Sequence, residues 1–332
     1  MAALTEVREI SKIAYGFMGS QALVAALDIA LFGHLAGGAR TGEQLAQASG
    51  VRADRLDMLL TPLTGLGLLV RDANSYVNAP ATQKYLVPDA PEYFGEYIRL
   101  QVGRQIYPHA MRIDRMLAGT PARIYEQVAN SAEQAADFSH SQHLGSLGPA
   151  YLLARALDIK GPGQLLDVAG GSGAFTIQLC KKFPDLHATI LDFPAVVDVA
   201  KTYIEDAGLQ DRVTLLAGNA LDTAWPDDND IVLMSYLLSA VGSADIDSLF
   251  EHAFAALRPG GHLVVHDFMV ADDKSGPATA ALWMLVLAGA EDPLCLTAGE
   301  IEARTRKAGF AGASSRDLVP TITGMLVARK PG

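Results

Sequence analysis

The chain has 332 residues, 50% of them hydrophobic and 19% charged, which suits a packed core of one or two domains and excludes a disordered chain. A formal net charge of −11 excludes a general nucleic-acid binder, which needs a basic face, but leaves room for a small anion held by one local arginine. The 2 cysteines, Cys180 and Cys295, lie far apart without metal-type spacing, so neither a disulfide framework nor a zinc site is expected and no metal is implied.

The N-terminus carries Glu6 and Glu9 and lacks an apolar signal core. The longest apolar runs, Ala22–Phe32 and Ala280–Ala290, fall short of the roughly 20 residues of a membrane span, so a cytoplasmic protein with no membrane partner is expected. Ile10–Leu35 carries apolar residues at helical spacing. Thr41-Gly-Glu-Gln44 reads as a capping box opening a helix to Ser49, and a second helix spans Ala53–Thr64. Gly67–Val70 and Tyr76–Asn78 flank the turn Asp72–Ser75, so helix, turn, helix and two-stranded wing read as a winged helix. The recognition-helix position offers only Arg55 beside two aspartates, Asp54 and Asp57, which favours protein contacts and dimerisation over DNA.

Pro88–Pro91 mark a joint, dividing a domain over 1–90 from a helical linker over 91–160; residues 161–332 form a third region. Beyond Gly161-Pro-Gly163 strands and helices alternate as in a doubly wound parallel sheet. Strands are expected at Gln164–Val168, His187–Leu191, Val213–Leu216, Ile231–Met234 and His262–His266, with Arg258–Gly261 as the turn into the fifth. Crossover helices are expected at Ala174–Lys182, Val196–Ala207, Ile246–Leu257 and Ala298–Ala308, and Ala313–Leu318 with Ile322–Ala328 reads as a closing antiparallel hairpin.

The segment Leu165–Gly173 is a buried strand, an acid and a glycine-rich turn opening a helix, the pattern of a nucleotide-type site. Gly170, Gly171 and Gly173 let backbone amides approach a ligand, Asp167 is placed to hold an ammonium group, and Asp192 ends the second strand where a carboxylate accepts ribose hydroxyls. A dinucleotide is the rival ligand, but its third glycine is missing where Phe175 and Thr176 follow Gly173, so S-adenosylmethionine is favoured.

Together, DVAGGSG at Asp167–Gly173, LDFPAVV at Leu191–Val197, RVTLLAGNAL at Arg212–Leu221, RPGG at Arg258–Gly261 and KAGF at Lys307–Phe310 resemble the class I O-methyltransferases, typified by plant caffeate-type and bacterial antibiotic-tailoring enzymes. The resemblance covers nearly the whole chain. It implies an α/β protein with a Rossmann-like core (a seven-stranded, mostly parallel sheet closed by an antiparallel hairpin) and an N-terminal, mainly α winged-helix dimerisation domain. It further implies a homodimer, S-adenosylmethionine as cofactor with S-adenosylhomocysteine as product, and a small-molecule acceptor. The family's adenine motif, Gly-Asp and a large apolar residue, reads Gly218-Asn219-Ala220 here; Asn219 keeps a hydrogen-bonding amide, and Phe193 stands in for the apolar face that Ala220 lacks. Ser235, ending the fourth strand, is assigned to the cofactor side.

The acceptor half departs from the family. The Leu-His-Asp-Trp run whose His is the general base reads Leu238-Ser239-Ala240-Val241, and the later Glu-Arg-Thr, whose Glu orients that His, reads Cys295-Leu296-Thr297. Three readings follow. In the first, the acceptor needs no base, as for the sulfur of a thioether or thiol, for example a methylthio-2-hydroxy acid of the kind handled by S-methyltransferases of dimethylsulfoniopropionate synthesis. In the second, a relocated base among His140, His143 and His266, with Ser239 at the old position, serves O- or C-methylation. In the third, the chain binds the cofactor without methylating. Trp283, Met284 and Cys295 are candidates for the acceptor pocket, and Tyr97, Arg104, Tyr107, Arg112 and Tyr236 for a polar anchor in which an arginine holds a carboxylate bidentately. The expected function is S-methylation of a small molecule.

Overall fold

The computed structural model describes residues 3–121, 132–159 and 163–332, and the chain divides into Met1–Pro108 and His109–Gly332. The division falls inside the expected linker. In the first unit the long apolar stretch is broken into α1 (Val7–Ala14), α2 (Gly16–Asp28) and α3 (Leu31–His34), followed by β1 (Arg40–Thr41). Next come α4 (Gly42–Ser49), α5 (Ala53–Gly65), the hairpin of β2 (Leu69–Asp72) and β3 (Ser75–Asn78), and α6 (Pro80–Tyr85). The capping box forms as expected: the Thr41 amide donates to Gln44 Oε1 at 2.9 Å, and the Gln44 amide donates to Thr41 Oγ1 at 3.3 Å. The strands order β1-β3-β2, and Leu31, Phe32, Leu45, Leu56, Leu60 and Leu63 form the buried centre. Element order is that of a winged helix. Beyond it, α7 (Gly95–Tyr97) runs into a π-helix over Ile98–Ile106, a winding that the sequence pattern does not announce.

Three helices, α8 (Tyr107–Ala110), α9 (Ile113–Leu117) and α10 (Ala132–Ala156), precede the sheet. Its strands and crossovers are β4 (Gly163–Val168), α11 (Ala174–Lys182), β5 (Leu186–Asp192), α12 (Pro194–Asp206), β6 (Val213–Ala217), β7 (Asn229–Ser235) and α13 (Ser243–Ala256). They continue with β8 (Leu257–Asp267), α14 (Ala278–Leu285), α15 (Ala298–Lys307), β9 (Ala311–Val319) and β10 (Thr323–Arg329). Seven strands lie in the order β6-β5-β4-β7-β8-β10-β9; β4 to β8 run parallel and β10 is antiparallel to both its neighbours. The strand order reverses beside β4, and ligands bind at such a switch point, outside the carboxyl ends of the strands.

Both faces of the central strands of this sheet are buried, which is why those strands read as continuous apolar runs. On one face Leu166, Val232, Met234, Leu263, Val265 and Leu326 pack with Phe250 and Ile301. On the other, Leu165, Ile190, Ile231, Leu233, Val264 and Met325 pack with Leu153, Leu179 and Ile204. One expectation needs correcting: Arg258–Gly261 is not a free turn but the opening of β8, with a register shift opposite Asn229 and Ile231. Asn229 stabilises that junction. It is buried, and its Nδ2 donates to Pro226 O at 2.6 Å and to Ala256 O at 3.0 Å. Replacing Asn229 with alanine removes both bonds; urea unfolding is expected to show a loss of about 1–3 kcal/mol.

Candidate functional site

Asp167 sits one residue before the end of β4, flanked in register by Ile190 and Leu233 and 1% exposed. Its Oδ2 accepts from Thr176 Oγ1 at 2.7 Å, while its Oδ1 has no partner in the protein. Burial pushes this carboxyl up to about 7, opposed by the Thr176 bond and reinforced by the like charge of Asp192. The chain leaves the strand through left-handed residues, Ala169 at φ 55°, Gly171 at 58° and Gly173 at 79°. A Cβ on Gly170 would lie 2.8 Å from Asp167 Cγ, so glycine lets the backbone lie against the carboxylate.

Asp192 ends β5 and fastens the same loop. Its Oδ2 accepts from the Gly171 amide at 2.8 Å and its Oδ1 from the Phe193 amide at 2.7 Å. Burial raises its carboxyl, and those two backbone bonds oppose the shift. Phe193 caps α12 with its ring 56% exposed, which leaves an apolar face beside the carboxylate. Gly170, Gly171, Gly173, Asp167 and Asp192 are therefore brought together. The adenine-side expectation is modified. Asn219 closes its own turn, its Nδ2 donating to Asp222 Oδ2 at 2.8 Å and its Oδ1 accepting from the Leu221 amide at 3.1 Å, so its amide is committed locally. Ala220 contributes its carbonyl to Trp225 Nε1 at 2.9 Å.

At the ends of β7 and β8, Tyr236 adopts φ 57° and donates its amide to His266 O at 2.8 Å. His266 is fully buried between two hydroxyls, Ser235 Oγ at 2.8 Å from Nδ1 and Thr323 Oγ1 at 2.9 Å from Nε2. With both nitrogens engaged and burial pushing its imidazole down to about 3, His266 is a structural link and not an accessible base; Ser235 is likewise spent on it. Ser239 lies in a short 3-10 turn over Leu238–Ala240. Its backbone amide reaches Asp267 Oδ2 at 3.0 Å and its hydroxyl bonds the same carboxyl. Asp267 is completely buried and also accepts from the Phe268 amide at 2.8 Å; burial raises its carboxyl to about 6 against these bonds.

From here aromatic rings run in a row. Tyr236 meets Phe268 at 5.2 Å between centroids, and Phe268 stacks on Trp283 at 4.6 Å. Trp283 Nε1 is buried without a partner, Met284 is buried beside it, and Cys295 packs at the edge of the same cluster. The residues of the expected polar anchor are divided between the two units. Tyr97, Arg104 and Tyr107 belong to the first unit, where Tyr97 is half-buried, its hydroxyl pushed up to about 12 by desolvation, and stacks on Phe94. Arg104 already pairs with Asp28 at 3.4 Å. Arg112, in the second unit, is exposed at the start of α9.

His140 and His143 do share a face of α10, and it addresses the cofactor loop and α12. His143 Nδ1 lies 2.8 Å from Ser172 Oγ, its ring stacks on Tyr203 at 3.9 Å, and Tyr203 OH lies 2.8 Å from His140 Nδ1. Burial, with His140 and Lys181 nearby, pushes His143 down to about 4.

An O-methyltransferase dimerisation domain matches residues 11–88 and an O-methyltransferase domain matches residues 93–311. The chain belongs to the O-methyltransferase family. It is therefore an S-adenosylmethionine-dependent methyltransferase, which sets aside the reading as a non-methylating homologue. It is 32% identical over 282 residues to a 3-hydroxy-5-methyl-1-naphthoate 3-O-methyltransferase of Streptomyces sahachiroi, across 82% of this chain and 80% of the relative. An N,N-dimethyltransferase of Streptomyces rimosus is 27% identical across 85% of this methyltransferase and 83% of its own length. The fold matches that of human N-acetylserotonin methyltransferase, solved in complex with its methyl donor, with a TM-score of 0.87 and 21% identity over 100% of both chains. No single helix among the described residues is long and apolar enough to cross a membrane.

Sequence reading missed Thr176, Ser172, Tyr203 and the use of Asp267; only Thr176 had a local signal, a hydroxyl one turn beyond the glycines. The linkage of His266 can be tested. Its folded value lies below the ordinary 6.5, so its stability contribution is full above about pH 6.5 and is lost as pH falls toward about 3. Between pH 4 and 6 the unfolding free energy of His266→Asn should fall less steeply than that of the parent, by about 1.4 kcal/mol per pH unit in urea titrations.

Proposed function

We propose that this methyltransferase acts on a small molecule whose reacting atom is nucleophilic without an imidazole base, with the sulfur of a thioether or a thiolate as the leading case. The observation that carries the reading is Ser239, which replaces the family's histidine and is tied by amide and hydroxyl to the buried Asp267. His266 supplies no accessible nitrogen in compensation.

The cofactor half fits S-adenosylmethionine on physical grounds. Asp167 Oδ1 is a buried acceptor lacking a donor, which an ammonium group would satisfy, and Gly170 lets the backbone lie against that carboxylate. Asp192 would accept the ribose hydroxyls and Phe193 would cover an adenine face. When bound, the cofactor supplies an electrophilic methyl group on a sulfonium sulfur. Tyr236, Phe268 and Trp283 then exclude water and fix the acceptor's approach, and such positioning accounts for much of the acceleration when no proton must move. Residues 11–88 carry the homodimer contact in this reading, consistent with the exposed apolar side chains Val7 (79%) and Ile13 (71%) nearby.

A methylthio-2-hydroxy acid draws less support than sulfur chemistry in general, because Arg104 is already paired. The aromatic row favours a second reading, a planar ring bearing an ionised phenol. A panel of thioether, thiol, phenol and amine acceptors with products read by mass spectrometry separates the two. With a thioether acceptor the chemical step should stay level within about twofold from pH 6 to 8. A rate that rises as an imidazole loses its proton, with a pH dependence that disappears in His140 or His143 variants, would sink the reading.

Cofactor binding should also release protons. A carboxyl held at about 7 is about half protonated at pH 7, and pairing with an ammonium requires its ionised form. Calorimetry with S-adenosylmethionine in buffers of different ionisation enthalpy, kept below the titration of the ligand's own amino group, should therefore show proton release that is larger at pH 6 than at pH 7, with no such release in Asp167→Asn.

A further inference from the structure

Among the groups left unused by the chemistry, His140, His143, Ser172 and Tyr203 form one connected set. The loop between β4 and α11 is held from two sides. From the sheet, Asp192 Oδ2 accepts the Gly171 amide at 2.8 Å. From α10, the His143 imidazole takes the side chain of the next residue, Ser172, at 2.8 Å. Ser172 lies between two left-handed glycines, Gly171 at φ 58° and Gly173 at 79°, and is 5% exposed. Glycine has more conformational freedom to lose on ordering than other residues, so a segment carrying Gly170, Gly171 and Gly173 gains from being held.

The imidazole is itself fixed. Its ring lies nearly flat on Tyr203, 13° from parallel, and the Tyr203 hydroxyl is 2.8 Å from His140 Nδ1. Two residues one turn apart on α10 thereby grip one side chain of α12, and the inner of the two reaches the loop. A ring locked by stacking presents its nitrogen in one direction, which a flexible side chain would not do.

We propose that His143 is a positioning residue for the cofactor loop: by holding Ser172 it sets the loop amides in their ligand-ready arrangement before the cofactor arrives. The effect is preorganisation, in which ordering is completed in the free protein and is not charged against binding. The clamp rests on the reading that S-adenosylmethionine sits on this loop, so its test has one arm with the ligand and one without.

Calorimetry with S-adenosylmethionine should show His143→Phe, which keeps the stack on Tyr203 and loses the bond, binding about three- to tenfold more weakly. Ser172→Ala should lose about as much, and the double variant no more than the worse single one, because both remove the same bond. His143→Asn, whose amide nitrogen takes the place of Nδ1, should recover most of the affinity; a merely space-filling role would not show this rescue. Without ligand, amide hydrogen exchange over residues 169–175 should speed up in His143→Phe and Ser172→Ala. Unchanged affinity, or losses that multiply in the double variant, overturns the clamp while leaving the cofactor reading intact. Faster exchange in both variants, in a parent that fails to bind S-adenosylmethionine, supports the clamp and overturns the cofactor reading instead. Should His143→Phe fail to fold, Ser172→Ala carries both arms, since it deletes a single oxygen.

Discussion

A carboxylate buried without its full set of partners is the constraint on which the second unit is organised. Asp167 lies in the middle of a seven-stranded sheet, and only one of its oxygens is satisfied by the protein. A fully apolar neighbourhood would make such a group costly to keep. Here the cost is contained by Thr176 on one side and by a loop that wraps the other, where a side chain at Gly170 would collide with the carboxylate. The loop in turn depends on Asp192 and on α10, so the second strand and a helix before the sheet are both recruited to one atom's surroundings.

The acceptor side follows different physics. Its titratable groups are satisfied internally: Asp267 gathers the amides of Ser239 and Phe268, and His266 is shared between Ser235 and Thr323, whereas Trp283 Nε1 is buried without a partner. What remains facing outward from the strand ends is mainly aromatic. A site with so little free proton-transfer capacity suits transfer chemistry governed by placement, and relatives that act at oxygen and at nitrogen show that the family's architecture is not bound to one acceptor atom.

Most of the fold was legible because it is written in local patterns. Apolar runs with glycine or proline at their borders marked all seven strands of the large sheet within a few residues, and the Thr41–Gln44 box fixed a helix start. The grouping of Asp167, the glycines and Asp192 was legible for the same reason, since they are tied to strand ends. The rest was decided by partners distant in sequence. Nothing near His266 foretold Thr323, 57 residues later, and nothing near His143 foretold a loop 29 residues away. The turn that Asn219 closes went unread because an asparagine after glycine serves its own turn as readily as a ligand, and the π-helix because no residue type marks one.

Four of the titrating groups that burial shifts in the second unit have a joint consequence. Asp167 and Asp267 hold protons more tightly in the fold than an unfolded chain would, whereas His143 and His266 refuse them. Near pH 5 the folded form carries its two on the acids and the unfolded form carries two on the imidazoles, so this quartet adds almost no slope to stability in mild acid. Occupying Asp167 with a cation breaks that balance. The empty protein is thus indifferent to acidification at these groups, while its grip on a cationic ligand is not.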